Sequence, residues 1–298
     1  MAMVSPIRPM KLLPWLFIGL AGGLLASGAT LTRDIEYGRV GPAILRLDAS
    51  VPDGAGPFPV AILVHGGGWD HGDKGGSEKP GSSADITPWF GILDRARFTW
   101  FSINYRMAPA NRWPACLEDA QTAIRWVKVH AGEYHGDPRC IILFGHSAAG
   151  QIVCLAALEA KDDTRVQGVV GCAPVTDLEQ GSVMHGGVSS SLQGLLGIKG
   201  ELTPRSRVIL REASPIHHVA RGAPPFLLVQ GDADKTVQPA LTEAFRAALT
   251  SAGVPCEVIT IPGGPHSMMT WARRDPSYPQ RLTKWIQAIG RSRPESSE

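Results

Sequence analysis

The chain alternates between short, continuously apolar runs and longer stretches whose apolar residues recur at helical spacing. The runs predict strands over 44–50, 59–64, 99–105, 140–144, 166–172, 226–230 and 257–261. Runs that are apolar throughout suit strands covered on both faces. The helical spacing predicts helices over 88–96, 115–130, 148–160, 239–252 and 279–291. Strands alternating with helices point to an α/β fold with a mostly parallel central sheet and helices on both faces. No helix separates the first two strands, so the first is expected to run antiparallel.

Residues 178–212 break this rhythm. They hold a Gly/Ser-rich piece, then Leu192, Leu195 and Leu196, then a polar stretch of helical character. This insertion is longer than an ordinary connection between a strand and a helix. It is expected to form a short cap over the C-terminal edge of the sheet.

The N-terminus has a different pattern. Arg8 and Lys11 precede the apolar run Leu12 to Leu25, and the small residues Ala26, Ser27, Gly28 and Ala29 follow. A basic region, an apolar region and a small-residue cleavage site in that order make a secretory signal. Residues 1–29 are therefore expected to be a signal peptide and the protein to be secreted or periplasmic. The run is short for a spanning helix of about 20 residues, so no stable membrane span is expected after processing. The alternative is an uncleaved N-terminal membrane anchor. Residues 30–298 are expected to form one domain, with a disordered tail from Arg293.

Charge and cysteine usage narrow the function. The net charge is +2, and the leader contributes Arg8 and Lys11 with no acid, so the remainder is close to neutral. That gives no electrostatic footprint for nucleic acid. The five cysteines, Cys116, Cys140, Cys154, Cys172 and Cys256, form no CxxC pair. Neither a zinc cluster nor a disulfide framework is expected.

Four turns carry the chemistry. After the strand ending at Phe144, Gly145-His146-Ser147-Ala148-Ala149-Gly150 leads into a helix. A serine at a sharp strand-to-helix turn projects its hydroxyl from the sheet as a nucleophile. The turn alone is a weak signal, because such a pattern arises by chance roughly half a time in a chain of this composition. A helix-capping serine would look the same. The run His65-Gly66-Gly67-Gly68-Trp69 after the second strand is more specific, at about 0.01 chance occurrences. Its unshielded peptide N–H groups suit the oxyanion of a tetrahedral intermediate.

The loop Gly231-Asp232-Ala233-Asp234-Lys235-Thr236-Val237 follows a late strand and offers two carboxylates, Asp232 and Asp234, to orient an imidazole. The loop Pro262-Gly263-Gly264-Pro265-His266 follows the last strand and offers that imidazole. The order serine, acid, histidine is that of α/β-hydrolases.

Together these motifs resemble the α/β-hydrolase fold esterases with an HGGG oxyanion motif, the carboxylesterase, acetyl-xylan or feruloyl esterase-like group. They are also similar to kynurenine formamidases. The resemblance covers roughly residues 35–290, including Ile103-Asn104-Tyr105-Arg106 and Ala213-Ser214-Pro215. It implies a triad of Ser147, His266 and Asp234 rather than Asp232. It implies oxyanion donors at Gly67, Gly68 and Ala148, and no cofactor or metal. The expected substrate is a small-molecule or polysaccharide-linked ester, cleaved through an acyl-enzyme. Amide or formamide cleavage is the alternative, and a non-catalytic binding protein a further one. Trp69, Tyr105 and His146 are expected to line the pocket. One departure is Ala149, where the family usually has glycine, and slightly wider helix–strand packing is expected there.

Overall fold

The computed structural model describes residues 28–76, 82 and 84–291. The leader up to residue 27 and the tail from residue 292 lie outside the described residues.

Eight strands form one sheet in the order β1-β2-β4-β3-β5-β6-β7-β8. They are β1 (Thr30–Val40), β2 (Ala43–Val51), β3 (Phe58–Val64), β4 (Thr99–Ile103), β5 (Gly136–His146), β6 (Gly168–Cys172), β7 (Phe226–Gly231) and β8 (Cys256–Ile261). The strands from β4 to β8 pair in parallel, whereas β2 runs antiparallel to both β1 and β4. The antiparallel start is as the missing helix predicts.

Strand periodicity explains the continuous apolar runs. In β3, Val60, Ile62 and Val64 enter the core on one face, while Ala61 and Leu63 enter the core on the other. The first core lies under α2 (Ala115–His130), α3 (Ala148–Leu158) and α7 (Pro239–Ser251). The second lies under α1 (Thr87–Ala96) and α9 (Tyr278–Arg291), with Trp89, Trp271 and Trp285 at its centre.

The insertion forms a cap of three short helices, α4 (Leu178–Met184), α5 (Ser190–Leu196) and α6 (Pro204–Glu212). Each starts at a side-chain cap, Asp177, Ser189 and Thr203 respectively, whose oxygen accepts a backbone N–H. Glu179 of α4 accepts from both Arg207 and Arg211 of α6, which clamps the two helices together. A further short helix, α8 (Trp271–Arg274), follows the His266 loop.

Strand β1 is the element the pattern does not foresee. Its side chains are almost all exposed, and Tyr37 alone is fully buried. The Tyr37 hydroxyl donates to the Asn104 carbonyl at 2.6 Å. An edge strand exposed on both faces needs no apolar run, so hydrophobic periodicity gives it no signal. Strand β5 likewise begins four residues earlier than its apolar run, at Gly136.

One buried ion pair ties α2 to the chain leaving β4. Asp119 is fully buried and accepts from the Arg106 backbone N–H at 2.8 Å and from its guanidinium at 3.0 Å. Replacing Asp119 by Ala should destabilise the fold by about 3–5 kcal/mol, because the Arg106 charge would be left with only its exposed partner Glu118. Urea unfolding at neutral pH checks this.

Candidate active site

The loops after β3, β5, β7 and β8 all leave the carboxyl ends of parallel strands, where ligands bind in open α/β sheets. Ser147 sits between β5 and α3 with φ 56° and ψ −120°, a sparsely populated conformation for a residue with a side chain. Its N–H donates to the Cys172 carbonyl at 2.9 Å, and its own carbonyl accepts from Val175 at 3.3 Å. These bonds fix the turn from the neighbouring strand. The turn also needs Gly145, where an added Cβ would come 2.3 Å from the Ala149 carbonyl oxygen. The Ala149 methyl is fully buried in the core, so the close approach of α3 to β5 falls on Gly145.

The structure brings Ser147, His266 and Asp234 together. Ser147 Oγ lies 2.8 Å from His266 Nε2, and His266 Nδ1 lies 2.8 Å from Asp234 Oδ2. A carboxylate only accepts, so Nδ1 carries the proton and Nε2 presents its lone pair to the serine hydroxyl. Asp234 is buried, and its other oxygen accepts the N–H groups of Thr236 at 2.8 Å and Val237 at 2.9 Å. Gln230 donates to Asp234 Oδ2 at 3.2 Å and is itself held by Thr242. Burial pushes the Asp234 carboxyl up, but the hydrogen bond from His266 and the two backbone donors outweigh it and hold the group below its ordinary value. Asp232 serves the backbone instead, accepting the Gly263 N–H at 2.6 Å.

The glycine turn packs directly over the serine turn. Gly67 has φ 102°, and a Cβ there would come 2.0 Å from the His71 carbonyl oxygen. Gly68 has φ 57°. Neither Gly67 N–H nor Gly68 N–H has a hydrogen-bond partner among the described residues. Ala148 N–H lies in the first turn of α3, where helix donors lack intrahelical acceptors. Three donors are thus available beside Ser147.

Two cavities meet at Ser147. One, of about 630 Å³, is bordered by Gly68, Trp69, Ser147 and Ala148 and roofed by the cap. The other, of about 580 Å³, is bordered by Gly67, Gly68, Ser147 and His266. Lys235 and Thr236 border both. Trp69 lines the first cavity as expected, with its indole N–H donating to Gln151 at 3.0 Å.

Tyr105 and His146 border neither cavity, which corrects their expected place in the pocket. The Tyr105 ring stacks on His65 at 4.6 Å, and its hydroxyl donates to the His65 carbonyl at 3.1 Å. It therefore lies behind the glycine turn. His146 lies beneath His266, and its Nε2–H donates to the His266 carbonyl at 3.0 Å. It supports the loop carrying the imidazole. Burial lowers the pKa of His146 to about 3 and that of His65 to about 4, so both rings are neutral at neutral pH. Sequence patterns also miss Gln230, although a polar residue ending the apolar run 226–229 must find a partner once buried. Among the described residues, no group of three or more His, Cys, Asp or Glu side chains is arranged to hold a metal ion.

Comparison with known proteins adds to this geometry. A profile of the BD-FAE family matches residues 47–249. The chain belongs to the BD-FAE family. The BD-FAE match spans β3 to α7, so it includes the glycine turn, Ser147 and Asp234. This BD-FAE chain is similar to two Mycobacterium tuberculosis proteins, esterase LipQ and esterase LipC. It is 34% identical to LipQ over 76% of this chain and 54% of LipQ. It is 30% identical to LipC over 80% of this chain and 60% of LipC. The chain thus spans little more than half the length of these curated relatives. In fold it resembles the acetyl ester-xyloside bifunctional hydrolase of Caldicellulosiruptor lactoaceticus, with TM-score 0.71, 24% identity, and 90% and 98% of the two chains covered.

The two buried histidines set a pH dependence of stability. Their folded pKa values of about 4 and about 3 lie below the ordinary imidazole value of about 6.5. As pH falls through about 6.5, the unfolded chain takes up these protons first, and stability is lost progressively toward the folded values. Each ring should remove about 1.4 kcal/mol per pH unit across that window. Urea unfolding at a series of pH values from about 7.5 to 4.5 checks this, and a flat profile would contradict it.

Proposed function

We propose that the protein is a serine carboxylic ester hydrolase that works through an acyl-enzyme. The observation that carries this reading is the continuous relay from Ser147 Oγ through His266 to buried Asp234, beside the Gly67 and Gly68 N–H groups, which have no partner among the described residues. His266 Nε2 takes the hydroxyl proton as Oγ attacks the ester carbonyl. The carbonyl oxygen gains negative charge and is stabilised by the N–H groups of Gly67, Gly68 and Ala148. The tetrahedral intermediate collapses, and His266 hands its proton to the departing alcohol. Water, deprotonated by the same nitrogen, attacks the acyl-enzyme and releases the acid. Asp234 stays ionised throughout and stabilises the imidazolium formed in both steps.

Short acyl groups are part of this reading, with the acyl half seated in the cavity under the two seven-residue cap helices α4 and α5. The leader pattern supports export to the periplasm or medium, where small or polysaccharide-linked esters are encountered. Among the described residues no helix is long and apolar enough to cross a membrane.

Ser147→Ala should lower kcat/KM for p-nitrophenyl esters on the order of 10⁵-fold, and Asp234→Asn on the order of 10⁴-fold. Wild-type protein should be labelled by a fluorophosphonate at Ser147. Among p-nitrophenyl esters from acetate to dodecanoate, turnover should peak at the short end, and N-formylkynurenine should be a poorer substrate than the best ester. Near-normal ester turnover by Ser147→Ala would reject the assignment.

A further inference from the structure

The two cavities at Ser147 differ in chemistry. If Oγ attacks a carbonyl there, the oxygen must face the peptide donors and the departing alcohol must face His266 Nε2, which returns the proton. His266 borders the second cavity and not the first. The alcohol half of the ester therefore occupies the second cavity. The acyl half occupies the first, against Val175, Leu178, Leu192 and Leu241.

The lysine beside the alcohol side is Lys235, which borders the acyl cavity as well. His71, Lys235 and His266 border the second cavity, and among the described residues bordering either cavity there is no carboxylate. The nearby acids each have a partner of their own, two of them in histidines that border the second cavity. Asp70 pairs with His71 at 2.5 Å, Asp234 holds His266, and Asp232 accepts the Gly263 N–H. Lys235 is exposed and has no hydrogen bond or ion pair among the described residues. Its backbone is nevertheless fixed, because the neighbouring N–H groups of Thr236 and Val237 both bond to Asp234 Oδ1. The loop that presents the triad acid inward thus also carries an exposed lysine at the border of both cavities. A compact cation on a flexible stem suits an anion whose position varies between substrates.

We propose that Lys235 is a specificity-determining residue that favours esters whose alcohol portion carries a carboxylate. This rests on the ester-hydrolase reading above. The test compares two acetyl esters of matched shape, 4-acetoxybenzoate, which is anionic, and 4-acetoxybenzamide, which is neutral. The quantity read is the ratio of their kcat/KM values within each protein at low ionic strength. Lys235→Gln should lower that ratio about three- to fivefold, the scale of a partly exposed ion pair. Lys235→Glu should lower it further, and Lys235→Arg should retain it. Added salt at about 0.5 M should bring the wild-type ratio toward that of Lys235→Gln. Equal ratios in wild type, Lys235→Gln and Lys235→Glu would overturn the proposal while leaving the ester reading intact. Failure of wild-type protein to cleave either ester, together with no fluorophosphonate labelling at Ser147, would instead overturn the ester reading and the proposal with it.

Discussion

The backbone at Ser147 must turn from strand to helix within one residue while keeping a side chain in a left-handed conformation. That constraint determines its surroundings. The turn is held by hydrogen bonds to the ends of neighbouring β6 and to the chain just beyond it, so it exists only once the parallel sheet has formed. It brings α3 so close to β5 that residue 145 has no room for a Cβ. It also brings the glycine turn down onto its own backbone, since a Cβ at Gly66 would lie 2.9 Å from the His146 carbonyl oxygen. Strain of this kind persists only where the surrounding structure over-determines it. Here two buried cores, one on each face of the sheet, supply that rigidity.

Polar burial does the rest of the positioning. Asp234, Gln230 and Thr242 form a chain of hydrogen bonds running from α7 through β7 to the triad acid. His146 and Trp271 each donate to the backbone of the loop carrying His266, at the carbonyls of His266 and Pro265. The imidazole is therefore held from beneath as well as by its two side-chain partners. On the other side, Tyr105 and His65 stack behind the glycine turn, and Asn104 links the same region to Asp73 and to the Lys74 backbone. None of these supporting groups borders the two cavities.

Much of this was legible in the residues. Continuous apolar runs gave the parallel strands because burial on both faces leaves no alternation to read, and α2 has the predicted bounds. Ser147 and His266 stood out because each lies in a loop after such a run, which is where α/β sheets gather their ligands, whereas the residues left Asp232 and Asp234 equal and only the family resemblance pointed to Asp234. Other features were hidden for physical reasons. Strand β1 buries too little to leave a periodic trace. Tyr105 and His146 are near the motifs in sequence, but adjacency along the chain does not say which side of a turn a ring takes. The contacts of the cap were equally invisible. Trp113 donates its N–H to the Leu195 carbonyl, and His185 contacts the Thr236 carbonyl. Both bonds depend on long-range placement that no local pattern encodes.

The solvent-exposed margin of the sheet has its own consequence. Strand β1 is an outer strand of eleven residues, long enough to template pairing with another chain. Its register is interrupted twice, between Thr32 and Ile35 and between Glu36 and Gly38, and Asp34 has φ 58°. Arg33, Asp34, Glu36 and Arg39 place charges of both signs along it. A kinked, charged border of this sort is a poor docking rail for a second molecule, so the protein can leave its outermost strand uncovered without inviting edge-to-edge aggregation.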